Sequence, residues 1–168
     1  MRRIAGALLV GTLALQGCVE RPDPEPASLT TAPPPWPAPR DAVSWIDAAG
    51  LPQLDLDDES DPWVLDLEVL VDGHPVEVPA FIGVDRLRAV QAPVHTHTTD
   101  GVVWLEGQGN REVTLAQFFH VWGVAFDDEC LAGMCQGLEV SADGEAVQAP
   151  TELVLRGHQE VTVAVQSS

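Results

Sequence analysis

Three Asp-Gly pairs constrain the fold of this chain more than any other feature of its sequence. They lie at Asp72-Gly73, Asp100-Gly101 and Asp143-Gly144, and each is flanked by alternating or apolar runs. Such pairs are the strongest short-range signal of a β-hairpin, because both central residues of a type I′ turn need a positive φ. Three hairpins predict a mainly antiparallel sheet.

One helix is predicted between the second and third pairs. Thr114 can cap its N-terminus, Gln117 completes a capping box, and Gly123 ends it. Its apolar residues recur at i, i+3, i+4 and i+7, a stripe that a sheet must bury. These residues are Leu115, Phe118, Phe119 and Trp122. The element order predicts an α+β domain with a small, mainly antiparallel sheet and one helix on one face, β-grasp-like; the alternative is a β-sandwich with an inserted helix.

The N-terminus carries a leader. Arg2 and Arg3 precede a mostly apolar run over 4–15, which is shorter than the ~20 residues of a membrane-spanning helix. The run closes on Leu15-Gln16-Gly17-Cys18, which resembles the lipobox of bacterial lipoproteins. That resemblance implies a signal peptide over 1–17 and lipidation of Cys18. The protein is then extracytoplasmic and lipid-anchored to the bacterial membrane, the outer one if the host is Gram-negative.

Residues 18–40 are predicted to be a tether, because eight of the chain's 14 prolines fall there. A polyproline II segment extends roughly 3 Å per residue, so this one reaches about 60 Å. Trp36, inside the tether, is left either docked on the domain or idle. Residues 41–168 form a single exported globular domain of ordinary size.

The formal net charge of −18 argues against binding to nucleic acid or to anionic lipid through the protein surface. The expected partners are the membrane, through the lipid on Cys18, and a protein of the cell envelope. Acidic residues alternate over 55–61 like the start of a calcium loop. Ser60 stands where that loop needs glycine, so a solvated acidic loop is predicted.

The stretch around the second Asp-Gly pair carries the candidate chemistry. If Asp100-Gly101 is a two-residue turn, His97 lies opposite Trp104. His95 then lies opposite Glu106, and all four side chains share one face of the sheet. Two imidazoles at i and i+2 with a carboxylate across are close enough to coordinate copper or zinc.

Side-chain alternation adds two further candidates to this face. If Leu65 and Leu67 point toward the helix, Asp66 points away from it, and the same reasoning places His158 outward near the last strand. The candidate metal ligands are His95, His97, Glu106, His158 and Asp66, with the first two as primary ligands. The alternative stays open that solvation alone puts polar residues on an outer face.

Two cysteines, Cys130 and Cys135, remain once Cys18 is lipidated. In an oxidising compartment a nearby pair most often forms a disulfide. A copper-binding or redox-active thiol pair is the alternative.

Several motifs between about residue 63 and residue 165 occur together. They are Val71-Asp72-Gly73, His95-Thr96-His97 with Gly101 and Glu106, Phe118-Phe119 with Trp122-Gly123, the pair Cys130 and Cys135, and His158-Gln159-Glu160-Val161. In this combination the domain resembles a group of exported bacterial proteins of unknown function. The resemblance implies export and a shared fold, and it implies no activity. Members of the group often carry histidines where this chain has Val64, Asp66 and Trp104, which implies fewer metal ligands here.

Three functions remain open from the sequence. The first is a membrane-tethered module that binds copper or zinc, and the second is a non-catalytic interaction or structural lipoprotein of the envelope without metal. The third is a hydrolytic or redox enzyme. The chain has no strong nucleophile motif, so the sequence favours a protein that is not an enzyme without deciding the point.

Overall fold

The computed structural model describes residues 28–167, so the predicted leader, the predicted lipidation site Cys18 and the start of the predicted tether lie outside the described residues. Two α-helices occupy Ala42–Ala48 (α1) and Leu115–Trp122 (α2), and a 3-10 helix occupies Pro150–Glu152. The strands are Leu54–Asp55 (β1), Trp63–Val71 (β2), His74–Val76 (β3), Val84–Asp85 (β4), Val90–Gln91 (β5), Val94–Thr96 (β6), Val102–Leu105 (β7), Gln136–Ala142 (β8), Glu145–Ala146 (β9) and Glu160–Gln166 (β10). Within this range no helix has the length and apolar character needed to cross a membrane.

The strands form one large and one small sheet. The large sheet has the order β6-β7-β2-β10-β8-β9, and β3 also pairs with β2. Every pairing in it is antiparallel except that of β2 with β10. The small sheet has the order β1-β5-β4. The domain is therefore α+β with a mostly antiparallel sheet, as predicted.

Alternate residues of the two central strands are buried, which confirms the predicted inner and outer faces. The buried residues are Leu65, Leu67, Val69, Val161, Val163 and Val165. Asp66 and Glu68 are exposed between the buried residues of β2, and Glu160 is exposed just before Val161. Because side chains alternate along a strand, one face of the large sheet forms the core and the other faces away from it.

Helix α2 forms as the sequence predicts. Thr114 and Gln117 make a reciprocal capping box, and Gly123 ends the helix in the left-handed region at a φ of 79°. All four residues of the predicted stripe are buried in the core. Helix α1, which the sequence analysis does not identify, packs beside α2.

Trp36 docks on the domain instead of sitting in a free tether. Its side chain is 3% exposed, and its carbonyl accepts a hydrogen bond of 3.0 Å from Nε1 of Trp122. Thr30 forms a parallel bridge with Val124. The C-terminal part of the predicted tether is therefore packed against the domain, which extends N-terminal to residue 41.

Cys130 and Cys135 form the predicted disulfide. Asp127 orders the turn that leads into Cys130 by accepting hydrogen bonds from the backbone N–H groups of Glu129 and Cys130 at 2.8 and 2.7 Å. The thiols are thus joined to each other, in a turn that follows α2.

Two of the three Asp-Gly pairs form two-residue hairpins as predicted. Asp72-Gly73 joins β2 to β3 and Asp143-Gly144 joins β8 to β9, with positive φ at all four residues. The prediction for Asp100-Gly101 is wrong, because residues 97–101 together connect β6 to β7. The Asp100 carboxylate instead accepts hydrogen bonds from the Thr98 hydroxyl at 2.5 Å and the Val102 N–H at 3.2 Å.

Glycine is needed at position 101 because the backbone there lies close to β2, and not because it forms a hairpin turn. Its carbonyl accepts a hydrogen bond of 2.9 Å from the N–H of Leu67, in the gap that β7 and β3 leave along one edge of β2. A Cβ on Gly101 would lie 2.6 Å from the Leu67 carbonyl oxygen. Only glycine fits there without moving a strand.

We expect Gly101→Ala to destabilise the fold far more than Gly144→Ala. The two glycines have similar φ values, 85° and 80°, but a Cβ on Gly144 meets nothing within 4 Å. The left-handed backbone alone should cost about 1 kcal/mol, and the clash at Gly101 should raise the loss to about 3 kcal/mol. Urea unfolding of both variants measures this difference, and equal losses would show that the approach to Leu67 relaxes without strain.

Candidate metal centre

The hairpin that carries the histidines has a different register from the predicted one. His95 lies opposite Trp104, where the predicted pairing places Glu106. Glu106 follows the last residue of β7, and His97 follows the last residue of β6. The offset is two residues, because the connection is longer than the predicted two-residue turn. The pairing of His95 with Glu106 and of His97 with Trp104 is therefore wrong.

The three candidate ligands still share a face, because a shift of two residues preserves the side to which a side chain points. The nearest Nε2 atoms of His95 and His97 are 3.2 Å apart, and Oε2 of Glu106 lies 3.4 Å from Nε2 of His95. One ligand atom from each residue lies within 4.8 Å of the other two. This group of His95, His97 and Glu106, hereafter the triad, could hold a metal ion.

Burial distinguishes the members of the triad. His95 is 0% exposed and Glu106 is 4% exposed, whereas His97 is exposed to solvent. The His97 ring packs edge-on against Trp104, with centroids 5.4 Å apart. The triad therefore opens to solvent at His97 and is closed behind His95.

One hydrogen bond fixes the protonation of His95. Its Nδ1 lies 2.9 Å from the carbonyl oxygen of Ala92, and a carbonyl can only accept, so Nδ1 carries the proton. Nε2 of the neutral ring then presents a lone pair to His97 and Glu106. Metal-ligating histidines are commonly oriented in this way, by donating the other ring N–H to a backbone carbonyl.

The surroundings disfavour charge on both buried members of the triad. The pKa of His95 is lowered to about 4, mainly because the side chain is buried; the hydrogen bond to Ala92 opposes this effect, and the nearby His97 adds to it. Burial raises the pKa of Glu106, and the negative charges of Glu59 and Asp58 raise it further. At neutral pH His95 is thus a neutral ligand with its lone pair available.

The structure does not bring the other two candidate ligands to the triad. Asp66 is exposed on the outer face of β2, opposite Glu160 of β10. His158 forms a 2.7 Å hydrogen bond through Nδ1 with the Asp143 carboxylate, at the β8–β9 hairpin. Within residues 28–167 these side chains belong to no group of three or more ligands that could share an ion.

Three contributors to the centre escape the sequence analysis. The Ala92 carbonyl orients His95, and no sequence pattern marks a backbone acceptor. Asp58 and Glu59 act on Glu106 through their charge. Their signal is the acidic run over 55–61, which the sequence analysis interprets as a solvated loop.

The triad brings together ligand atoms that carry lone pairs. The carboxylate oxygen of Glu106 and Nε2 of His95 are both acceptors at 3.4 Å, so a proton or a cation between them removes their repulsion. A proton on Nε2 of His97 serves His95 in this way at 3.2 Å. A metal ion in the same place would engage all three ligand atoms.

Comparison with known proteins finds no matching family model, curated protein or solved structure. The functional conclusion therefore rests on the geometry of the triad and on the sequence.

We expect the metal-free protein to lose stability as the pH falls from 6.5 toward 4, and His95 to be one cause. The unfolded chain protonates this histidine near pH 6.5, but the folded protein does so only near pH 4, so acid favours unfolding between these values. The loss assigned to His95 approaches about 3 kcal/mol. Urea unfolding with a chelator present, at pH 7 and at pH 4.5, measures it.

The control for this prediction is His95→Gln, which is uncharged at every pH. Glu106 acts in the opposite sense, because its raised pKa makes ionisation destabilising as the pH rises. The variant is expected to be less stable at pH 7 and to lose less stability between pH 7 and pH 4.5. The same pH dependence in both proteins would show that His95 is not the cause.

Proposed function

We propose that this domain binds a transition metal ion, copper or zinc, through His95, His97 and Glu106. The observation that carries the proposal is the convergence of two imidazole nitrogens and a carboxylate oxygen, with distances of 3.2 and 3.4 Å measured from Nε2 of His95. Zinc bonds of about 2.05 Å place tetrahedral ligands roughly 3.3 Å apart. The two distances from His95 lie on either side of that value.

The donor set supports copper or zinc over a harder cation. Imidazole nitrogen suits zinc and copper, whereas calcium and magnesium prefer shells made of oxygen. Three protein ligands also leave a fourth position for water or another ligand. The exposed His97 places that position on the solvent side of the triad.

A lipid anchor on Cys18 is the second part of this proposal. The lipobox-like leader supports it, and so does the disulfide between Cys130 and Cys135, because disulfides persist in oxidising compartments outside the cytoplasm. The protein would then present its metal site in the cell envelope, anchored to the membrane by the lipid. We further propose that the anchored protein interacts with another protein of the cell envelope.

A β-grasp-like arrangement is the finer fold assignment that we favour. Four neighbouring strands of the large sheet lie in the order β7-β2-β10-β8. Along the chain the same four strands come in the order β2, β7, β8 and β10. Helix α2 lies between the second and third of them in the chain, and the central two are parallel. This strand order supports the β-grasp over a sandwich.

We expect the chelator-stripped full chain to bind one equivalent of zinc or copper(II), and His97→Ala to weaken that binding at least 100-fold. Loss of an outer-shell partner alone costs about 10–100-fold, and this change removes a ligand. His97 is exposed, so its removal leaves no buried cavity. Isothermal titration of each metal measures both affinities.

The matched control is His74→Ala, which removes an exposed histidine from β3. It should bind zinc like the wild type. Equal weak binding by the wild type and by both variants would contradict a metal site. A non-catalytic envelope lipoprotein without metal would then be the better description.

We expect Cys18→Ser to move the protein from the membrane fraction to the soluble exported fraction. The substitution removes the thiol that would carry the lipid and leaves the domain unchanged. Fractionation of bacteria expressing either form measures the distribution, and incorporation of labelled palmitate reports lipidation directly. Unchanged membrane association and no label in the wild type would contradict lipidation of Cys18.

A further inference from the structure

An acidic segment, residues 58–61, is held against the metal centre by hydrogen bonds. The N–H of Gly107, the residue after Glu106, donates a 2.7 Å hydrogen bond to the Ser60 carbonyl. Gln91 donates through Nε2 to the Asp58 carbonyl at 3.3 Å. A Cβ built on Gly107 would lie 2.9 Å from Oδ2 of Asp58, so this carboxylate lies beside the backbone that carries Glu106.

The charges of this segment are neutralised unevenly. Asp61 forms ion pairs of 2.8 Å with both Arg111 and Arg156. Among the ion pairs in the described part of the chain, none involves Asp58 or Glu59. No cation of the described residues pairs with these two carboxylates, and the segment that carries them lies against the backbone of Gly107, next to Glu106.

A concentration of negative charge next to a buried carboxylate disfavours the metal-free centre and favours a bound cation. The favourable energy scales with the charge of the ion, so a divalent ion gains twice what a monovalent ion gains. Asp58 and Glu59 lie outside the triad, which is the one group in residues 28–167 with ligand atoms close enough to share an ion. Their role is thus electrostatic and not that of ligands.

We propose that Asp58 and Glu59 make the triad a site for a divalent ion, Zn²⁺ or Cu²⁺, by attracting and stabilising its charge without coordinating it. This inference rests on the proposed function and deepens it by naming the charge class of the metal. The two residues form the acidic wall of the centre, and they are positioning residues for the cation. Gly107 and Gln91 hold the wall in place by donating hydrogen bonds to the backbone carbonyls of Ser60 and Asp58.

The test is zinc titration of the full chain and of Asp58→Asn/Glu59→Gln. The double variant should bind zinc about tenfold more weakly in 10 mM salt, since two negative charges close to a divalent ion are removed. Near 1 M salt the difference should fall to about twofold, because the Debye length shrinks to about 3 Å. Glu59→Gln alone should give an intermediate loss, and it spares the Asp58 side chain that accepts hydrogen bonds from Ser60.

The matched control is Glu139→Gln/Glu145→Gln, which changes the net charge equally at exposed positions of β8 and β9, at the far edge of the sheet from β6. Circular dichroism should show all variants folded. Equal zinc affinities for the acidic-wall variants and the control would overturn this inference while leaving the metal site in place. Absence of zinc binding in the wild type would overturn the proposed function and this inference together.

Discussion

Strands β2 and β10 come from opposite ends of the domain and pair in parallel over six residue pairs, from Asp66 opposite Glu160 to Val71 opposite Val165. This pairing closes the sheet around one core, because both strands bury alternate residues on the same face. It also leaves the other edge of β2 to be shared by β7 and β3, with Gly101 in the gap between them. The position of β7, and hence of Glu106, depends on that arrangement.

The candidate metal centre combines a buried side with an exposed one. His95 is held by burial and by the Ala92 carbonyl, so its lone pair has a defined direction before any ion arrives. His97, one residue beyond β6, remains exposed and can adjust to an ion. Preorganisation of one ligand would limit the ordering cost of metal binding, and the exposure of another would leave room for its ring to adjust. The acidic wall then supplies charge without adding a further rigid ligand.

Much of the fold follows from local sequence rules. Two turns, at Asp72-Gly73 and Asp143-Gly144, are predicted correctly, and so is the start of α2 at the capping box of Thr114. Each of these features depends on residues that are close in sequence. The prediction for Asp100-Gly101 is wrong because the Gly101 backbone is hydrogen-bonded to Leu67, more than 30 residues away in sequence. The sequence nevertheless predicts that the three residues of the triad share a face, because the face of a strand residue depends only on side-chain alternation.

What the sequence does not give is burial and long-range contact. The complete burial of His95, the Ala92 acceptor and the approach of Asp58 and Glu59 to Glu106 all depend on how distant segments pack. The docking of Trp36 is another such contact, and it shortens the stretch of chain that separates Cys18 from the packed domain. With Cys18 lipidated as proposed, only residues 18–27 separate the lipid from the docked segment, and ten residues span at most roughly 35 Å. The domain would therefore lie close to the bilayer surface, within reach of small ions and of partners at the membrane but not of distant ones.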